Sequence, residues 1–203
     1  MRSSIWKCQK GKNNFSESRA LHHAFRIYFF PGNRPTKETI HRYTSIWGDD
    51  YFSFWYNKVL FIVLNSQFYE DCSLTEDLAS LQDSWLEDRL KDAKNAKYTF
   101  IFQHIPWFLQ TPEEEKEYFN IKEPLRKKML DKFLDAGVTK IFCGHYHRNA
   151  GGWYKNMELV VTSAIGCQIG QDPHGLRIVK VTENAVEHAY HGLDKCPKDI
   201  SLL

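Results

Sequence analysis

Short apolar runs bounded by turn residues alternate with two longer amphipathic stretches through much of this chain, and only short runs remain near its end. Residues 51–56 and 59–64 flank Asn57-Lys58 and read as strands joined by a two-residue hairpin turn. Over 75–94, Leu78, Leu81, Trp85, Leu86 and Leu90 recur at helical spacing while acids and lysines fill the other side, which predicts an amphipathic helix with that buried stripe. A second helix begins at Pro124, a residue suited to a first helical turn. Its core face is Leu125, Met129, Leu130, Phe133 and Leu134, and Gly137 closes it. Further strands are predicted at 98–103, 138–143, 157–162, 176–182 and 186–190. Towards the start, 27–30 reads as a short strand ending at Pro31-Gly32-Asn33, and 36–47 as a short helix. The stretch 105–121 is loop-like, with Glu113-Glu114-Glu115 read as a solvated surface. Helices between the early strands and strands alone later predict a mixed α/β sandwich.

Two strand ends carry the chemistry. Strand 98–103 delivers His104, followed by Ile105-Pro106, and strand 138–143 delivers Gly144-His145-Tyr146-His147. Open α/β sheets bind ligands outside the carboxyl ends of their strands. Neutral imidazole is a common metal ligand, so three histidines at two such exits predict a metal site. An i, i+2 pair on an extended segment diverges, so His145 and His147 are expected to address different ions. Arg148 either grips a phosphate or braces the loop, and His174 either lines the pocket or stabilises a turn. Asn65 and Gln67 either reach the site or cap a strand end. Trp107 and Phe108 form a substrate wall or a core anchor, with the core the commoner case for large aromatics.

Composition narrows the class. Of 203 residues, 42% are hydrophobic and 15% aromatic, enough for a core and too much for a disordered tail. The net charge of +2 gives no reason to expect nucleic acid or an anionic membrane as partner. The five cysteines (Cys8, Cys72, Cys143, Cys167, Cys196) are odd in number and scattered, which predicts reduced thiols and a cytoplasmic setting.

Gly32-Asn33, Gln103-His104-Ile105-Pro106 and Gly144-His145-Tyr146-His147-Arg148 together resemble the later motifs of the calcineurin-like metallophosphoesterases. The segments 47–55, 63–69, 148–152, 163–167 and 172–177 agree, and within the family the likeness is to a cytosolic serine/threonine phosphatase type. The resemblance spans 27–193, leaving 1–26 as an unassigned leader and 194–203 as a tail. It implies a two-sheet αββα sandwich, incomplete in its N-terminal half, that hydrolyses phosphomonoesters of phosphoproteins with two divalent ions such as Mn, Fe or Zn. It implies that Asn33, His104 and His145 serve the second metal and His147 the first. The family's opening Asp-x-His/Gln and Gly-Asp motifs are not found in 1–31, and Arg34 follows Asn33 where the family has its general-acid histidine. The expectation is therefore no assigned catalytic residue, at most one weak metal site, and impaired hydrolysis. The alternative is a non-catalytic module that binds a phosphorylated partner. Without the opening strands, 98–103 and 138–143 are expected to leave a sheet edge open to self-association.

Overall fold

A computed structural model describes residues 35–199. The expected strand at 27–30 and the turn with Asn33 and Arg34 lie outside the described residues.

Helix α1 (Lys37–Trp47) starts where Thr36 and Thr39 cap each other, each hydroxyl accepting the other's backbone N–H at 3.2 and 2.9 Å. Strands β1 (Phe52–Tyr56) and β2 (Val59–Val63) form the expected hairpin, with Asn57 at φ 51° in its turn. After the short α2 (Gln67–Glu70) come α3 (Glu76–Ala93), β3 (Tyr98–Phe102), α4 (Leu125–Asp135) and β4 (Lys140–Cys143). Gly137, at φ 83°, takes the left-handed turn that ends α4 and feeds β4. The chain continues through β5 (Ala150–Tyr154), β6 (Met157–Val161), β7 (Gly175–Val181) and β8 (Val186–Gly192) to a 3₁₀ turn at Leu193–Lys195.

Six strands form one sheet in the order β1-β2-β3-β4-β6-β5, and β7 and β8 pair as a second sheet. Strands β2, β3, β4 and β6 are mutually parallel, with β1 and β5 antiparallel at the edges. Because successive side chains on a strand point to opposite faces, β2 sends Leu60 and Ile62 one way and Phe61 and Val63 the other. Both sets are buried, as expected of a strand covered on both faces. The first face packs with Leu86 and Leu90 of α3 and Met129, Leu130 and Phe133 of α4. On the second, Phe61, Phe100, Phe102 and Phe142 pack with Val179, Val181 and Val186 of the hairpin. The result is mixed α/β with two sheets, as a metallophosphoesterase sandwich requires.

Three expectations are corrected. Strands 98–103 and 138–143 are interior, each flanked by two parallel neighbours, because β2 and β6 cover them; among the described residues the edges of the large sheet are β1 and β5. Leu81 is 59% exposed, and the buried stripe of α3 is Gln82, Leu86, Leu90 and Ala93, since Gln82 turns inward to bond both backbone polar groups of Asn65. Strand β5 was not expected. Its Gly151 (φ 129°) approaches β6 so closely that a Cβ would lie 2.1 Å from the Leu159 carbonyl, so glycines that read as loop serve here as edge strand.

Candidate phosphate and metal site

Four parallel strands exit on one edge of the sheet, and backbone hydrogen bonds tie the exits beyond the strands themselves. Leu64 donates to the Phe102 carbonyl at 2.9 Å, Gln103 to Phe142 at 3.1 Å, Gly144 to His104 at 3.0 Å and Thr162 to Cys143 at 2.9 Å. The Gly144 bond joins the two histidine loops directly. His104 is fixed further by Ser66, whose hydroxyl accepts the N–H groups of His104 and Ile105 at 3.2 and 2.9 Å.

The loop after β4 is tighter than an extended segment. His145 and His147 both take left-handed backbone conformations (φ 66° and 54°), and Tyr146 N–H bonds the Gly144 carbonyl at 2.7 Å. Such conformations are uncommon for residues other than glycine, cost about 1–3 kcal/mol each, and cluster at functional sites. The expected extended i, i+2 arrangement is thus replaced by a turn. The turn brings the rings of His145 and His104 to 5.1 Å between centroids, edge to face.

His145 is 4% exposed, with Nε2 3.3 Å from the Tyr118 carbonyl. A carbonyl only accepts, so Nε2 carries the proton and the lone pair lies on Nδ1. His147 Nδ1 likewise donates to the Cys167 carbonyl, while the His147 carbonyl accepts from Ser163 Oγ at 3.1 Å and Ile169 N–H at 2.9 Å. Burial pushes the His145 imidazole down to about 4, against a partial rise from the Tyr118 carbonyl. Burial, with the charges of His145 and His147 adding, holds His104 well below the usual histidine range. Near neutrality these two rings offer lone pairs and N–H groups, not positive charge. The charge of Lys116 adds to the lowering at His145, and the Arg148 guanidinium lies 4.7 Å over the Tyr146 ring.

An imidazole that donates its other N–H to a backbone carbonyl is oriented as metal-binding histidines usually are. Yet among the described residues no group of three His, Cys, Asp or Glu side chains is gathered to hold a metal ion. The described residues alone therefore do not fit a metal centre. Asn33, the remaining implied ligand, lies outside them.

The other candidates separate clearly. His174 sits on the exposed turn before β7, with Nδ1 2.8 Å from the Ile165 carbonyl. Trp107 and Phe108 are fully buried core residues. Asn65 is buried, its side chain donating to Asp50 at 2.8 Å and accepting from Gln67 N–H at 3.2 Å.

Several contributors went unread in the sequence. Tyr118 and Phe119 place their rings 5.3 and 5.4 Å from that of His145; an aromatic pair inside a charged loop was the available signal. Glu114, expected in a solvated patch, instead accepts the backbone N–H groups of Leu109, Gln110 and Thr111 and the side-chain amide of Asn120. Burial pushes its carboxyl up, and those bonds outweigh it to hold the group below the usual range. Arg177 reaches from β7 to the Asn149 side-chain oxygen at 2.7 Å, bracing the residue that follows Arg148.

No family model matches the chain. It is 53% identical over 167 residues to Serine/threonine-protein phosphatase CPPED1 of Homo sapiens, covering 81% of this chain and 53% of that protein. The same-named protein of Danio rerio is 49% identical over 166 residues, covering 81% and 54%. The chain thus spans about half the length of the curated relatives it matches. Among solved structures, GAP50, the anchor in the inner membrane complex of Plasmodium, matches 57% of this chain and 38% of its own, with TM-score 0.47 and 14% identity. With half of its aligned residues shared with those phosphatases, the chain belongs to the calcineurin-like phosphoesterase family.

Proposed function

We propose that the strand-exit edge of the large sheet is a phosphomonoester site serving a metal-dependent serine/threonine-protein phosphatase, with phosphoproteins as substrates. The observation that carries this is the His104–His145 pair, two largely neutral imidazoles 5.1 Å apart at the ends of adjacent parallel strands. Arg148 supplies the charge-assisted bonds that a phosphate dianion needs. By family likeness a divalent ion would be held by His104, His145, His147 and Asn33, although the described residues gather no metal-holding trio. The relatives' names support the phosphatase reading. The free thiols of Cys72, Cys143, Cys167 and Cys196 support a reducing, cytoplasmic setting.

The test is turnover of p-nitrophenyl phosphate and a phosphoserine peptide with added Mn or Zn, beside His145→Ala. Metal-dependent turnover abolished in the variant supports catalysis; equal turnover in both sinks it. A second reading, a non-catalytic module that holds a phosphorylated partner, is favoured by the donor set, since the described residues gather no metal-holding trio. It predicts phosphopeptide binding without turnover in either protein.

A further inference from the structure

The loop between β3 and α4 is built to hold still. Arg126 is fully buried, and its guanidinium donates to the carbonyls of Ile121 at 2.8 Å, Pro112 at 2.9 Å and Glu114. The Glu114 carboxylate ties the opposite end through its four N–H donors, and Ile121 N–H bonds the Pro106 carbonyl at 3.1 Å. Ordering backbone opposes folding by about 1–2 kcal/mol per residue, so a loop with this much buried polar bonding is held against a substantial entropic pull.

What it holds up is Tyr118. Its carbonyl receives His145, and its ring stands 5.3 Å from that imidazole, yet the residue is 60% exposed. The ring begins a row. Tyr118 meets Phe119 at 5.0 Å edge to face, Phe119 meets Tyr146 at 5.1 Å, and Tyr146 carries the Arg148 guanidinium. One end of the row is an open aromatic ring; the other is cationic. Rigid exposed tyrosine gives contact area with little conformational entropy to lose on binding.

We propose that Tyr118 is a specificity-determining residue of this site. It packs against an apolar side chain next to the phosphorylated residue of a peptide whose phosphate lies towards His145 and Arg148. This rests on the phosphomonoester reading above. The row's polarity sets the ligand's chemistry, an anionic group towards the guanidinium and an apolar one at the open ring, with Phe119 and Tyr146 between them.

The experiment is fluorescence anisotropy with two labelled phosphoserine peptides, differing only in leucine or glycine beside the phosphoserine, and with their unphosphorylated twins. Wild-type protein should prefer the leucine peptide about fivefold, the range expected of one aromatic contact. Tyr118→Ala should bring that ratio to one, and Tyr118→Phe should keep it. Because the ring is exposed, both variants should share the wild-type unfolding midpoint. A ratio near one in the wild type, or a ratio preserved in Tyr118→Ala, overturns the proposal. If phosphorylated and unphosphorylated peptides bind wild type alike, the phosphomonoester reading itself fails and this inference falls with it.

Discussion

His188 on β8 and His145 after β4 are both largely buried imidazoles, and their surroundings are opposite in kind. His188 Nδ1 accepts from Arg177 at 2.9 Å and Nε2 donates to the Glu158 carboxylate at 3.2 Å. Glu158 also pairs with Lys140, and Arg177 goes on to Thr162 Oγ1 at 3.1 Å and to Asn149. Donors and acceptors alternate along this chain, which bonds β4, β6 and the loops at the sheet edge to the second sheet. His145 faces another imidazole and a backbone carbonyl, on a left-handed residue. The first arrangement spends its bonding capacity on the fold. The second sits in a turn at the strand-exit edge of the large sheet, the edge at which open α/β sheets bind ligands.

The sharpest break of the comparison is Arg177→Met. It leaves His188, Thr162 and Asn149 without their shared donor, and bonds to charged groups contribute about 1.5–3 kcal/mol. We expect a loss of about 3 kcal/mol in urea unfolding; a loss under about 1 kcal/mol would mean the network is ornamental.

Next is the acid side of the stability profile. Burial pushes the Glu158 carboxyl up, but His188 and Lys140 outweigh it and hold the group at about 2 against an ordinary 4.5. Its contribution is therefore complete above about 4.5 and lost as pH falls through about 2. Glu158→Gln should flatten that segment of the curve, and an unchanged slope would contradict the assignment.

His145→Ala should do the reverse of Arg177→Met. Stability should change by only about 1 kcal/mol, while phosphopeptide affinity falls about tenfold or more. The smallest effect belongs to His174→Ala, an exposed turn residue, at under about 0.5 kcal/mol by thermal melt. A larger loss there, or a loss of phosphopeptide binding, would restore it to the site.

Periodicity made the helices legible, and unbroken apolar runs such as β2 made most strands so. It misplaced Leu81, since two leucines at helical spacing look like a stripe whichever face the sheet meets. Strand β5 was hidden by Ala150-Gly151-Gly152, which a propensity reading assigns to a turn. His104, His145 and His147 were readable from their place just after apolar strands. Tyr118 and Arg177 were not, because their meaning lies in long-range pairing, and Glu114 and Arg126 were not, because theirs lies in how one loop folds back on its own backbone. Tyr118 stands 27 positions from His145, and Arg177 28 from Asn149. The left-handed turn at His145 and His147 has no glycine to announce it after Gly144. It followed only from the structure.

The most direct test is NMR of the histidine rings during titration with a phosphoserine peptide. The account predicts shifts of the His104 and His145 ring signals and a silent His188. Shifts at His188 with His104 and His145 unmoved, or no shift at any of the three at saturating peptide, would contradict it.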